Sequence, residues 1–165
     1  SCGARYGPNG EAKAWLDVAF ELPVREPCPF CENVAGRRDC ARLYENEGTL
    51  GFVNPRQFER GASIIIPKRH CATILDLTDE EAADLMRSVV IVARGVADAL
   101  APQGINVFQN NGIAAGQSVP HVHFHVVPRH GDVPADRKFT SLNTPIAAVE
   151  EREAVAAVIR AMLTS

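Results

Sequence analysis

The sequence P-H-V-H-F-H-V-V-P at residues 120–128 places three of the chain's five histidines at every second position. Successive side chains of a β-strand point to opposite faces, and residues two apart are separated by about 6.6 Å. If this segment is a strand, His121, His123 and His125 share one face, and the valines and phenylalanine share the other. We therefore expect the apolar residues to pack into a core while the imidazoles line a surface or a cleft.

The sequences on both sides of the histidines suggest a binding site for phosphate. A glycine-containing loop, N-N-G-I-A-A-G-Q-S-V-P, precedes them, and P-R-H-G-D follows. Such a loop presents backbone N–H groups to an anion, and Gln117 and Ser118 add side-chain donors. Phosphoryl chemistry needs a nucleophile together with fixed donors for the phosphate oxygens. An alternative interpretation of the histidine pattern is a polar strand face, or a surface ladder of metal-binding histidines. This alternative does not explain the sequences on either side.

The size and charge of the chain narrow the class of protein. With 165 residues, 46% of them hydrophobic, the chain is long enough for one sizeable core and short for two typical domains. Its 17 basic and 20 acidic side chains give no electrostatic footprint for a nucleic acid polymer or an anionic membrane. No apolar run approaches the ~20 residues of a membrane-spanning helix, and the N-terminus lacks a signal-peptide pattern. We expect a cytoplasmic protein.

The hydrophobic pattern predicts an α+β fold. Short segments rich in β-branched and aromatic residues predict strands at residues 42–45, 50–54, 62–67, 105–109 and 121–127. The isoleucines of residues 64–66 indicate a central strand that is covered on both faces. A capping box at residues 78–81 begins a helix that reaches Leu100, and residues 146–163 predict a terminal helix. The result is a largely antiparallel sheet with one long crossover helix. Residues 11–22 fit a short helix in an otherwise weakly structured extension.

Cys28 and Cys31 form a C-x-x-C pair among five cysteines. In a reducing compartment this spacing indicates metal or redox chemistry rather than a disulfide framework. A redox pair is disfavoured because no thioredoxin-like βαβ pattern surrounds it. Two unrelated buried cysteines are a further interpretation.

The histidine segment also carries a family resemblance. The run G-Q-S-V-P-H-V-H-F-H-V-V-P-R resembles the His-x-His-x-His signature of the histidine triad (HIT) superfamily of nucleotide hydrolases and transferases. F-V-N-P-R and I-I-I-P-K-R-H resemble the nucleoside-binding strands of that family. The resemblance covers residues 27–132. It implies a HIT-like fold with a five-stranded sheet in a single domain, residues 27–165, after an N-terminal extension, residues 1–26.

The resemblance implies a role for six side chains. His123 matches the nucleophile that attacks the α-phosphate and forms a covalent nucleotidyl-histidine, and His125 matches the histidine that contacts the phosphate or the leaving group. The implied substrate-binding residues are Asn54, Asn110, Gln117 and Ser118. Asn54 stands where many relatives have an acidic residue for the ribose, and Ala62 replaces a histidine that many relatives have.

Several bacterial HIT proteins use a metal site whose ligands match four residues of this chain. These residues are Cys28, Cys31, His70 and His121, and the resemblance implies that they hold a structural zinc ion. Two thiolates and two imidazoles are a complete tetrahedral set with no open position for catalysis. His70 taken alone fits a helix cap or a surface residue equally well.

The implied activity is a nucleotide hydrolase that acts at the α-phosphate of a nucleoside phosphoramidate or a dinucleoside polyphosphate, with a purine preference. Asn110 resembles the Hint branch, whereas P-R-H-G-D resembles the Fhit branch. The alternatives are a nucleotide-binding regulatory module with little turnover and a nucleotidyltransferase that uses another acceptor. The family also implies a homodimer.

Overall fold

The computed structural model describes residues 20–131 and 144–163. One five-stranded antiparallel sheet has the strand order β1-β2-β3-β5-β4. The strands are β1 (Arg42–Glu45), β2 (Thr49–Val53), β3 (Ser63–Pro67), β4 (Gly104–Gln109) and β5 (Phe124–Arg129). The helices are α1 (Pro29–Val34), α2 (Asp79–Leu100) and α3 (Val149–Leu163). The predicted α+β class and antiparallel sheet are confirmed, with α2 as the long crossover from β3 to β4.

The central strand β3 is buried on both faces. Ile65 belongs to the larger core cluster with Val122 and residues of α2 and α3. Ile64 and Ile66 belong to a smaller cluster on the opposite face, together with Phe30 of α1. The three isoleucines are at most 5% exposed, which confirms the predicted central strand. Because α1 is short, the face that it covers has room for a cleft.

The start of α2 follows the predicted capping box. The Thr78 hydroxyl accepts a hydrogen bond from the Glu81 N–H at 3.2 Å, and the Glu81 carboxylate accepts one from the Thr78 N–H at 2.9 Å. Such a cap contributes about 1 kcal/mol to helix stability. The helix ends at Leu100, and its C-cap residue Ala101, directly before Pro102, is left-handed with a φ of 44°.

The strand that carries the histidines begins later than predicted. β5 starts at Phe124, so His121 and His123 precede the strand instead of lying within a strand at 121–127. The reason is a contact between distant parts of the sequence: the Pro67 carbonyl of β3 accepts a hydrogen bond from the His121 ring at 2.8 Å. The predicted alternation nevertheless holds, since Val122 is buried in the core while His123 and His125 line the opposite face.

The terminal helix also begins later than predicted. α3 starts at Val149 rather than at residue 146, because the Ala147 N–H donates to the Pro55 carbonyl and holds this segment outside the helix. The predicted helix at residues 11–22 falls mostly outside the described residues, and residues 20–22 are not helical. Within residues 20–131 and 144–163, no helix combines the length and the apolar composition needed to cross a membrane.

Candidate active site and metal site

Four predicted metal ligands from three parts of the chain meet beside β3. Cys28 and Cys31 come from the start of α1, His70 follows β3, and His121 precedes β5. Their ligand atoms all lie within 4.8 Å of one another. The Cys31 sulfur is 3.3 Å from His70 Nδ1 and 3.7 Å from His121 Nδ1. The Cys28 sulfur is 3.6 Å from His121 Nδ1.

These distances fit a tetrahedral ion. With Zn–S bonds near 2.3 Å and Zn–N bonds near 2.0 Å, tetrahedral angles separate sulfur from nitrogen by roughly 3.6 Å. The three sulfur–nitrogen distances lie between 3.3 and 3.7 Å. The donor set therefore suits zinc in both chemistry and spacing.

The His121 ring is oriented for ligation through Nδ1. Its Nε2–H donates to the Pro67 carbonyl, which leaves the Nδ1 lone pair facing the two sulfurs. This is the usual outer-shell arrangement of a metal-binding histidine. Burial lowers the pKa of His121 to about 4, so the ring is neutral at pH 7, as a ligand must be.

The cysteine pair favours a bound cation. Burial, followed by the hydrogen bond with Cys28, raises the pKa of the Cys31 thiol to about 11. Without a nearby cation this thiol stays protonated at pH 7, whereas a metal ligand is a thiolate. Cys31 therefore lacks the lowered pKa of a reactive redox thiol.

His123 has one ring nitrogen fixed by the backbone and one free. Its Nδ1–H donates to the His121 carbonyl oxygen at 2.7 Å, so Nε2 carries the lone pair. The residue is 4% exposed, and its ring packs edge-on against Phe30 with 5.1 Å between centroids. Burial lowers the pKa of His123, so the imidazole is neutral at pH 7 and suited to nucleophilic attack.

His125 lies next to His123, with 5.0 Å between the ring centroids, and stacks on Phe108 at 4.6 Å. Burial, then the positive charge that His123 can carry, lowers the pKa of His125 to about 3. Among the described residues its buried Nδ1 has no hydrogen-bond partner. An orphaned lone pair costs less than an orphaned N–H, which favours the tautomer with the proton on Nε2.

Both histidines line a cleft of about 450 Å³, a volume in the range of small-ligand sites. The cleft contains four of the six residues predicted for catalysis and substrate binding, namely His123, His125, Asn54 and Ser118. Its apolar walls come from Phe30, Phe52 and Ile64. Sequence reasoning missed Phe30, although its position inside the C-x-x-C motif was a usable signal.

The structure does not bring Asn110 and Gln117 into the lining of this cleft. The Gln117 amide is used inside the loop: its oxygen accepts from the Gly112 N–H at 2.7 Å, and its nitrogen donates to the Ala72 and Val119 carbonyls. Asn110 is half-buried with its amide beside Gly116. Gln117 therefore shapes the loop, and its contact with a substrate stays a prediction.

The residues after the histidines are divided between the interior and the surface. Arg129 is buried, donating to Asn106 at 2.9 Å and pairing with Glu59 at 3.3 Å. His130 is exposed and outside the cleft, and Asp132 lies outside the described residues. Arg129 thus holds the end of β5 against its neighbours.

Comparisons with known proteins give the class of protein. The HIT domain family matches residues 35–132, which is more than half of the chain. The chain is 41% identical to Protein hit of Bacillus subtilis over 106 residues, covering 64% of this chain and 73% of that protein. It is 39% identical to adenosine 5'-monophosphoramidase hnt1 of Schizosaccharomyces pombe over 102 residues, covering 62% and 74%.

A solved structure of a zinc-bound protein shares the fold. The Zn-bound histidine triad family protein from Mycobacterium smegmatis is 33% identical, with a TM-score of 0.70, and the match covers 84% of this chain and 94% of that one. The chain belongs to the HIT domain family, and it is an enzyme of that family. The HIT-like fold implied by the sequence is therefore confirmed.

Proposed function

We propose that this enzyme hydrolyses a nucleotide at its α-phosphate, through a covalent nucleotidyl intermediate on His123. The substrate is a nucleoside phosphoramidate or a dinucleoside polyphosphate, with a purine base. One observation carries the proposal: a buried, neutral histidine faces a nucleotide-sized cleft with its Nδ1–H fixed on a carbonyl and its Nε2 lone pair free.

In the first step the Nε2 lone pair of His123 attacks the α-phosphorus. A P–N bond to His123 forms, the bond from phosphorus to the leaving group breaks, and its electron pair departs with that group. The positive charge that develops on the His123 ring is shared by its Nδ1–H group. This group donates a hydrogen bond to the His121 carbonyl oxygen at 2.7 Å, which stabilises the charge. An amine leaving group also gains a proton from solvent, which is balanced by the proton that water releases in the second step.

In the second step water attacks the same phosphorus. The P–N bond breaks, its electron pair returns to Nε2, and the nucleoside monophosphate leaves with the water oxygen while the second water proton is released. His125, with its proton on Nε2, is the proposed donor to the phosphate oxygens, and Ser118, which lines the same cleft, adds a hydroxyl.

The apolar wall of the cleft suits the nucleoside. Phe30, Phe52 and Ile64 offer apolar surface to a base, and the buried Asn54 lies next to them. The Asn54 side-chain oxygen accepts from the Arg56 N–H at 2.9 Å, which orients its amide nitrogen as the remaining donor for the ribose. Asn110 is proposed to approach the phosphate when the loop is occupied.

We also propose that Cys28, Cys31, His70 and His121 hold a structural zinc ion. A zinc ion with four protein ligands supplies cross-linking rather than chemistry. The proposed unit is a single domain at residues 27–165 after an extension at residues 1–26, acting as a cytoplasmic homodimer. Cys28, Cys31 and Cys40 form no disulfide among the described residues, in keeping with a reducing compartment.

The test is intact-protein mass spectrometry after mixing with adenosine phosphoramidate, alongside an assay for released AMP. Wild type should show an AMP-sized adduct and turnover, and His123→Ala should lose both, with turnover reduced about 1,000-fold or more. His130→Ala is the matched control, because His130 is exposed and outside the cleft.

Two outcomes would contradict the proposal. Nucleotide binding without an adduct or AMP from wild type would indicate a binding module with little turnover. Nucleotide transfer to added inorganic phosphate, with ADP as the main product, would indicate a transferase.

A further inference from the structure

The described part of the N-terminal extension packs along the glycine loop on the phosphate side of the cleft. The Glu21 carbonyl accepts a hydrogen bond from the Ile113 N–H at 2.8 Å. The Phe20 side chain lies so close to Gly112 that a Cβ added there would be 3.1 Å from it. Residues 20–25 therefore form a segment fixed against the loop that leads to Ser118.

This segment brings Arg25 to the mouth of the cleft. The Arg25 Nε donates to the Ser118 carbonyl at 3.4 Å, and Arg25 lines the same cleft as Ser118, His123 and His125. Its guanidinium is exposed, and no carboxylate within residues 20–131 and 144–163 forms an ion pair with it. A guanidinium presents a fork of N–H donors that suits phosphate and sulfate oxygens.

The described lining of the cleft carries more positive charge than is needed to bind one α-phosphate group. Among the described residues, its lining contains three arginines, Arg25, Arg38 and Arg56, and one carboxylate, Glu26. Arg56 donates to the Thr144 carbonyl, and the Arg38 carbonyl accepts a hydrogen bond from the Asn33 side chain at 3.2 Å. Arg25 is the arginine hydrogen-bonded to the phosphate-side loop.

We propose that Arg25 binds the leaving group, and that the preferred substrates carry a second anion, a sulfate or a phosphate, linked to the α-phosphate. This inference rests on the proposed function. When His123 Nε2 bonds to the α-phosphorus, the bridging P–O bond breaks and its electron pair leaves on the sulfate or phosphate oxygen. Arg25 stabilises that negative charge, which an ammonia leaving group does not develop.

The test compares Arg25→Gln with Arg38→Gln, since both arginines are exposed and line the same cleft. For each protein kcat/KM is measured with adenosine 5'-phosphosulfate, with diadenosine tetraphosphate and with adenosine 5'-phosphoramidate. Arg25→Gln should lower the ratio of anionic-leaving-group to phosphoramidate kcat/KM by about 10-fold to 100-fold, the effect of losing a charge-assisted hydrogen bond. Arg38→Gln should keep the wild-type ratio.

A loss confined to the sulfate substrate or to the polyphosphate identifies which anion Arg25 recognises. Equal losses for all three substrates in Arg25→Gln, or the same change of ratio in Arg38→Gln, would overturn the inference while leaving the proposed hydrolysis intact. Absence of the His123 adduct in wild type would instead refute the proposed function.

A binding measurement supplies a readout that is independent of turnover. The affinity of wild type for α,β-methylene-ADP should exceed its affinity for AMP, because the second phosphate occupies the position of the leaving group. Arg25→Gln should remove most of this difference, and Arg25→Lys should retain part of it, since the charge stays but the fork is lost. An unchanged affinity ratio in Arg25→Gln would also overturn the inference.

Discussion

His123 depends on two separate properties of its surroundings. Its burial against Phe30 keeps the ring neutral, and its hydrogen bond to the His121 carbonyl decides which nitrogen carries the lone pair. An exposed histidine near its ordinary pKa of about 6.5 would be charged, and therefore unreactive, in mildly acidic solution. The burial of His123 thus keeps its reactive, neutral form present at lower pH than an exposed histidine would allow.

The pH dependence of kcat/KM should reflect this burial. Because the pKa of His123 is lowered, the neutral form persists as pH falls, and the acid limb should lie below pH ~6.5. Phe30→Ala exposes the ring and should move the limb up toward that value, while Phe30→Leu, which keeps apolar cover, should move it less.

The measurement is a pH–rate profile from pH 4.5 to 8, roughly two units below and above the ordinary histidine pKa. Metal content is determined at each pH, because His70 and His121 bind protons and metal competitively. An acid limb at or above the ordinary pKa in wild type, or an identical limb in Phe30→Ala, would contradict the role given to burial.

At the scale of elements, the six-residue helix α1 connects the two sites. A helix this short is not stable in isolation, so its position depends on its contacts. Cys28 and Cys31 lie at the proposed metal site, and Phe30, between them, lies against His121 and His123 and lines the cleft. Metal binding should therefore fix one wall of the cleft.

Cys28→Ser should lower both the bound zinc and the thermal stability. Loss of a metal ligand removes a cross-link between α1, β3 and the segment before β5, and we expect Tm to fall by roughly 5–10 °C. Zinc is measured by elemental analysis and Tm by calorimetry. The matched control is Cys40→Ser, since Cys40 is a half-buried free cysteine outside the cluster. Equal zinc content in the two variants would refute the zinc assignment.

The elements that were predicted well are those determined by residues close together in the sequence. The capping box at Thr78 and Glu81 begins α2, and the alternation of histidines with Val122 and Val126 separates cleft from core. The start of β5 was misplaced because it depends on the Pro67 carbonyl, which lies 54 positions away in the sequence. α1 was missed because six residues carry little periodicity.

For the metal cluster and the substrate residues too, the sequence predicts what depends on local spacing, whereas only the fold shows the contacts between distant residues. The spacing of Cys28 and Cys31 suggested a metal, but only the fold brings His70 and His121 to them. The sequence does not show that the Gln117 amide is bonded to Gly112, Ala72 and Val119, and the contact of Gln117 with a substrate stays a prediction. No feature of the sequence indicated a role for Arg25, because the segment around it has no recognisable motif or hydrophobic periodicity.

In the whole molecule the two edges of the sheet differ. α3 packs against β1, and Arg160 donates to the Arg42 carbonyl at 2.6 Å. The opposite edge strand, β4, pairs with β5 on one side and with no strand on its other side among the described residues, and Val107 on it is 45% exposed. An open edge strand of this kind pairs readily with another strand. β4 is therefore the proposed contact of the homodimer.

Size-exclusion chromatography with light scattering should give twice the mass of one chain. Val107→Glu should shift the protein toward the monomer, because two such edges would bring like charges together at the two-fold axis. Val158→Glu on α3 is the control, since Val158 is 41% exposed and lies on a different surface. A monomeric wild type, or equal effects of the two variants, would contradict this interface.

The two functions of His121 have an evolutionary consequence. Its imidazole faces the cysteines, whereas its carbonyl oxygen holds His123, and a carbonyl is present whatever the side chain. The four metal ligands can therefore be gained or lost as a set during evolution, while the His121 carbonyl continues to hold the proton of His123 on Nδ1. Natural variants in which all four ligands are replaced together should remain viable, and those that lose one cysteine alone should be rare.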